Sequence, residues 1–224
     1  MVLLETILIT FIDIILHLDV HLKAVIETYH LWTYAILFFV IFCETGFIFT
    51  PFLPGDSLLF AAGAFAAIGS LNLSLVFLII LMAAVLGDLV NYSAGKYIGP
   101  RILKKENSLL FNKKYLVHTE QFYQKHGPKT IIAARFMPIV RTFAPFVAGI
   151  GKMNFLRFAM YNITGALLWC TIFILGGYFF GNVAFVKEHF SWVIIGIVIV
   201  SFIPLVKGIL QGWWRNRQKK KQIQ

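Results

Sequence analysis

The stretch ETGFIFTPFLPGD, Glu44 to Asp56, decides how this chain folds. It lies inside one of the most apolar regions, yet it carries two carboxylates, two prolines (Pro51 and Pro54) and two glycines (Gly46 and Gly55). Proline has no N–H, and its ring clashes with the turn before it, so Pro51 and Pro54 should end a helix entering from the apolar run ahead of them. That run, 31–50, has the roughly 20 residues needed to cross a bilayer. The run after the prolines, 57–68, has about 12, which is too short to cross. A short apolar run behind a break reads as a re-entrant half-helix, because irregular backbone survives at membrane depth only where protein or a watery cavity satisfies it.

The surrounding composition agrees. The 224 residues are 59% hydrophobic and 13% charged, and the mean hydropathy is +0.80. Soluble domains rarely reach such values; a polytopic, all-α membrane protein does. The formal net charge of +10 is clustered. Eight Lys or Arg fall between Lys96 and Lys129, and five in RNRQKKKQIQ at the C-terminal end. In a membrane protein such clusters set orientation and meet anionic lipid heads. Nucleic-acid binding is disfavoured, because no soluble domain is there to present the patch. Cys43 and Cys170 lie in apolar runs and read as small buried hydrophobes rather than a disulfide or metal framework.

Residues 1–30 read as an N-terminal amphipathic or membrane helix, retained rather than cleaved as a signal peptide. The membrane domain is expected over 31–211. It would hold re-entrant segments at about 45–69 and 129–151, a full span at 71–99, a basic cytoplasmic loop at about 96–128, and spans near 155–180 and 191–211. Residues 212–224 form a basic cytoplasmic tail. Sliding the chain on itself lays FTPFLPG (49–55) over FAPFVAG (143–149), an offset of 94, with four of seven positions agreeing. With both basic clusters in the cytoplasm, the two proline-broken segments dip in from opposite faces. That is an inverted repeat, in which transporter sites form near the midplane.

Charges at membrane depth cost about 2.5–3.5 kcal/mol each on insertion scales, so they need partners or water. Five stand out: Glu44, Asp56, Asp88, Arg135 and Arg141. Glu44 reads as mid-span, with a functional role favoured over a structural ion pair. Asp56, after Pro-Gly, reads either as the N-cap of the half-helix or as a site acid. The expected balance sets Glu44 and Asp56 against Arg135 and Arg141. The arginines either pair with the acids alone or bind a phosphate-like anion, since guanidinium matches phosphate with two parallel donors. Pro138 lies between them and re-aims them. Asp88, with Asn91 and Tyr92, reads equally as an interfacial anchor or an accessory site group. GKYIG (95–99) has a spacing that permits close helix approach. Asp13, His17 and His21 share a helix face, taken as a polar stripe rather than a metal site; no metal and no cofactor are expected.

ETGFIFTPFLPGDSLLFAAGAF, GDLVNYSAGKYIGPR, FYQKHGPKTIIAARFMPIVRTFAPFVAGIGKM and YNITGALLW together resemble the DedA family of bacterial inner-membrane proteins, which shares a core domain with eukaryotic lipid scramblases of the VTT type. The resemblance covers roughly residues 10 to 210, without departure at the motif positions. It implies that Glu44 and Asp56 are membrane-embedded acids of a proton-coupled function and that Arg135 and Arg141 are the family's two important arginines. It also implies that Pro51, Pro54, Gly55, Pro138, Pro145 and Gly149 belong to re-entrant breaks. Family members are implicated in recycling undecaprenyl phosphate across the inner membrane; others move phospholipids.

The expected function is thus a proton-coupled lipid translocase of the bacterial inner membrane with a cytoplasmic C-terminus, its partners a lipid phosphate and protons. A proton-coupled transporter of small solutes or ions is the alternative. A lipid-phosphate enzyme is disfavoured, as neither a His-containing phosphatase pattern nor a nucleophile–base pair is present at depth. A purely membrane-shaping protein leaves Glu44 and Arg141 without a role.

Overall fold

The computed structural model describes residues 13, 18–47, 55–103, 129–181, 183, 186, 190, 192–197, 199, 200 and 203. Regular structure among them is helical, without strands. The helices are α1 Leu18–Tyr29, α2 Trp32–Gly46, α3 Gly55–Ala67, α4 Leu73–Leu103, α5 Lys129–Arg135, α6 Pro138–Ile150, α7 Phe155–Cys170 and α8 Gly176–Phe180. A π-helical turn, Thr171–Leu175, joins α7 to α8. Pro51 and Pro54, most of the basic loop, the basic tail and most of the expected 191–211 span lie outside the described residues.

Among the described residues, two helical stretches, Leu73–Ile98 and Phe155–Phe180, each of 26 residues, are long and apolar enough to cross a membrane. At 1.5 Å per residue each spans about 39 Å, more than the roughly 30 Å hydrocarbon core. The run at 31–50 behaves differently from the expectation. Its helix covers only Trp32–Gly46 and ends in extended backbone at Phe47, whose N–H still reaches the Cys43 carbonyl. Fifteen residues give about 22 Å, short of a full crossing.

The short helix α3 is buried from Gly55 through Ala64 and again at Ala66. A helix that is apolar all round belongs in a protein interior, and here the neighbours are α1, α4 and the π-turn with α8. Its core includes Leu37, Ile41, Leu59, Ile80 and Ile174. A second core gathers Tyr92, Ile131, Ala134, Ala144, Ala148 and Phe158 around α5 and α6.

The two short helices end alike. After α3, Gly69 has φ +81°, and the N–H groups of Gly69 and Ser70 bond to the carbonyls of Ala66 and Phe65. After α6, Lys152 has φ +50°, and the N–H groups of Lys152 and Met153 bond to the carbonyls of Gly149 and Ala148. Each long helix then starts on an asparagine cap. Asn72 accepts from the N–H of Leu75 at 3.0 Å, and Asn154 from that of Arg157 at 3.2 Å. Such caps satisfy a donor that the first turn leaves without a partner.

Each short helix also crosses the other long helix on glycine. A Cβ at Gly177 would strike the Phe60 carbonyl, and one at Gly63 the Ile174 carbonyl and Tyr178 N–H. A Cβ at Gly95 would strike the Phe146 carbonyl, and one at Gly149 the Tyr92 carbonyl and Lys96 N–H. The spacing F-x-x-G against x-x-x-G-x is the same in both places. Where α4 and α7 meet they run antiparallel: Tyr92 stacks on Phe158 with centroids 4.4 Å apart, while Asn162 donates to the carbonyl of Val85.

Three expectations need correction. Pro145 is no break; it lies inside the continuous helix α6. The break falls at Phe136–Met137, and Pro138 starts α6 at a first-turn position where its missing N–H costs nothing. Gly149 is likewise helical, and its missing side chain serves the crossing against α4. The offset of 94 does not match the matched turns: Asn72 and Asn154 are 82 residues apart, Gly69 and Lys152 83.

Candidate functional site

The charged groups meet because four helix ends converge beside α4 and α7. Glu44 is in the last turn of α2, not mid-span. Asp56 is in the first turn of α3. Arg135 ends α5, and Arg141 sits in the first turns of α6. All four are buried, as is Asp88 on α4, and Glu44 is fully inaccessible.

Glu44 has a structural partner that the sequence did not suggest. Its Oε1 accepts from the backbone N–H of Gly55 at 3.0 Å, so a side chain from α2 caps the start of α3. The contact requires glycine, since a Cβ at Gly55 would lie on the Glu44 carboxylate. Glu44 also forms an ion pair with Arg141 Nη2. Arg141 Nη1 donates to Asp56 Oδ1 at 2.9 Å, and the indole N–H of Trp169 donates to the same oxygen at 2.8 Å.

The expected balance of two acids against two arginines is therefore divided differently. Arg141 serves both Glu44 and Asp56. Arg135 pairs with Asp88 and donates to Asn162 Oδ1 at 3.1 Å. Asp88 is thus a member of the cluster and not an interfacial anchor. The cause is reach: the break after α5 leaves Arg135 facing α4 and α7, and α6 carries Arg141 toward α2 and α3. The guanidinium carbons lie 5.7 Å (Arg135) and 5.2 Å (Arg141) from the ring centre of Trp169, within cation–π range.

Asn91 and Tyr92 hold the frame. Asn91 Nδ2 donates to the carbonyls of Thr45 at 3.2 Å and Thr142 at 2.7 Å, tying α2 and α6 to α4. The Tyr92 hydroxyl donates to the Met153 carbonyl at 2.5 Å, pinning the α6–α7 turn. Between the ion pairs lies a cavity of about 10 Å³, lined by Thr45, Asp88, Arg135, Arg141 and Trp169. That is room for one water. Glu44 Oε2, Arg135 Nη1 and Arg141 Nε are buried without a hydrogen-bond partner.

Asn162 and Trp169 were missed as site residues. Both occur in YNITGALLW, seven apart in an apolar helix and so on one face. A polar residue and an indole on the same face was the available signal. In contrast, His21 and Asp13 meet at 3.2 Å but are exposed, His17 lies outside the described residues, and no group of three potential metal ligands occurs among the described residues.

The VTT domain matches residues 53–179, which hold all of this cluster except Glu44. The chain is 52% identical to Protein DedA of Escherichia coli over 202 residues, covering 89% of this chain and 92% of that protein. It is 41% identical over 174 residues to an uncharacterized membrane protein of Mycobacterium leprae, covering 78% of each. It is 33% identical over 177 residues to the inner membrane protein YghB of Escherichia coli, covering 79% of this chain and 81% of that protein. No solved structure matches it. The domain match and the identity over nearly the whole length agree, and the chain is a membrane protein that belongs to the DedA family.

Proposed function

We propose that this protein is a lipid translocase of the bacterial inner membrane, moving a lipid phosphate (undecaprenyl phosphate or a phospholipid) across the bilayer with proton coupling. The observation that carries this reading is the sharing of Arg141 by two carboxylates from different helices, Glu44 and Asp56. Glu44 also takes a backbone N–H at the start of α3. A helix N-terminus beside a guanidinium is an anion site. The carboxylates act there as internal stand-ins for the phosphate of the substrate. Protonation of a carboxylate frees Arg141 donors for phosphate, and phosphate departure restores the pair.

Charge balance favours the same exchange. Three carboxylates (Glu44, Asp56 and Asp88) face two guanidiniums (Arg135 and Arg141). With all ionised, these five groups sum to one negative charge, which burial penalises by several kcal/mol. One proton removes it. A phosphate monoanion that replaces a carboxylate keeps the guanidinium paired, and a further proton on the displaced carboxylate holds the loaded cluster neutral.

The architecture is read as an inverted repeat, with the segments about 45–69 and 129–151 re-entrant from opposite faces. The matched turns, asparagine caps and glycine crossings support it, together with the antiparallel course of α4 and α7. Such repeats rock around a fixed midplane site. The basic loop, at about 96–128, and the C-terminal tail are assigned to the cytoplasm, against anionic lipid heads. Alkylation of single cysteines introduced into the two re-entrant tips tests the topology: labelling of both from one side defeats it.

The functional test is flux. Purified protein in liposomes should redistribute labelled undecaprenyl phosphate or phospholipid between leaflets, faster with an imposed pH gradient. An unchanged distribution under both conditions rejects the reading. The small cavity favours a second reading, a proton-coupled transporter of a small ion or solute, because it holds one water and no head group. Ion or solute uptake driven by the pH gradient, without lipid movement, selects that alternative.

A further inference from the structure

The cavity and the arginines pose a steric problem. A tetrahedral phosphate is far larger than one water, yet the space between the guanidiniums has room for only one. Some lining group must move. Asp88 and Arg135 hold each other through charge, and Arg141 is held by Glu44 and Asp56. The remaining large lining group is Trp169, which is 1% exposed and presents its ring to both guanidiniums.

We propose that Trp169 is the movable wall of the anion subsite: its indole occupies the place a phosphate ester takes between Arg135 and Arg141, and it withdraws when the ester enters. This rests on reading the cluster as an anion site. Three observations point to Trp169. The unpartnered Arg135 Nη1 and Arg141 Nε belong to the two arginines that line the cavity with it. Its N–H is tethered to Asp56 Oδ1, the oxygen that Arg141 also uses. The indole can withdraw only by giving up that oxygen, so the bond to Asp56 is the tether its movement must break. Finally, the helix changes to a π-turn at Thr171, two residues beyond Trp169. Such turns interrupt the regular helix and recur at functional sites, and this one gives α7 a place to adjust.

The step exchanges one set of contacts for another and forms no covalent bond. The guanidiniums give up a ring face and gain charged oxygens, whose hydrogen bonds are stronger. The Asp56 carboxylate keeps the Trp169 N–H only while the indole stays in place.

The test uses the full chain with Trp169 as its sole tryptophan, the other four (Trp32, Trp192, Trp213 and Trp214) replaced by Phe. In detergent micelles, farnesyl phosphate should shift the emission of Trp169 to the red and increase its quenching by acrylamide; farnesol should do neither. Inorganic phosphate is a separate arm: the same change with phosphate alone identifies a free anion as sufficient, and a change with farnesyl phosphate only identifies a lipid phosphate. Retention of radiolabelled farnesyl phosphate is measured in parallel on the protein with its native tryptophans. There, Trp169→Phe, which keeps a ring but loses the N–H tether, should bind the label more tightly. Label retained while Trp169 emission and quenching stay unchanged overturns the movable wall and leaves the anion site standing. Label and phosphate both unbound overturn the anion site itself, and the wall with it. Unaltered affinity in Trp169→Phe overturns the role of the tether.

Discussion

Arg141 in α6 donates to Asp56 in α3 at 2.9 Å, across 85 residues of sequence, so that the N-terminal ends of two buried helices face one another. Both helices have 13 residues, long enough for their unsatisfied N–H groups and aligned dipoles to present positive potential at that point. A cation there is unfavourable to the dipoles, and the acids of α2 and α3 offset it. The pair therefore marks a place where negative charge is wanted from two directions at once.

Removing the titration of Glu44 without its volume separates proton chemistry from packing. Glu44→Gln keeps an oxygen to accept the Gly55 N–H but loses the charge that faces Arg141. The protein should still fold, and its lipid flux should lose its response to a pH gradient. Flux in liposomes with and without the gradient checks this; a Gln variant with full pH-dependent flux removes Glu44 from the coupling.

Arg141→Ala strands two carboxylates, Glu44 and Asp56, in a buried setting. Breaking a buried pair by deleting one partner costs about 3–5 kcal/mol. A double variant, Glu44→Gln with Arg141→Ala, should recover part of that loss because it leaves one carboxylate fewer. Thermal unfolding of the single and double variants in the same detergent provides the cycle. Additive losses would show that the two groups do not interact.

Asp88→Asn affects the other pair. Arg135 then keeps Asn162 and the Ala84 carbonyl as acceptors but faces no carboxylate of its own. The formal charge of the cluster falls to neutral with every group ionised. If the uneven count is what recruits the proton, Asp88→Asn should fold normally and should shift the pH range of transport. Identical flux profiles for the variant and the wild type would mean that the count does not matter.

The sequence made the acids, the arginines and Pro138 legible because each violates the apolar pattern around it. It did not reveal the partners. Asp88 and Arg135 lie 47 residues apart, and nothing local to GDLVNY states which cation it meets. Trp169 lies in an apolar stretch, and what sets it apart is that it faces two guanidiniums brought from other helices. Pro145 misled because proline usually breaks helices. In α6 the surrounding helices hold the turn, as buried membrane helices can. FTPFLPG and FAPFVAG agree by letter at an offset of 94, whereas the turns that match in the structure rest on asparagine caps and bare glycine positions, which leave almost no letter-by-letter trace.

The two glycine crossings should be equivalent in energy. Gly95 faces the Phe146 carbonyl as Gly177 faces the Phe60 carbonyl, and neither site has room for a Cβ. Gly95→Ala should therefore push α6 from α4, and Gly177→Ala should push α3 from α8. Overpacking a close contact costs about 1–3 kcal/mol, and the two losses should be similar. As a control, Gly196, with open space where a Cβ would go, should accept Ala with little change. Because each crossing joins a short helix to a long one, both variants should also slow lipid flux, although neither glycine touches the charged cluster. Thermal unfolding and flux measured on all three variants distinguish the cases. A loss confined to one crossing would mean that the two halves, despite their matched caps, do not carry the site in the same way.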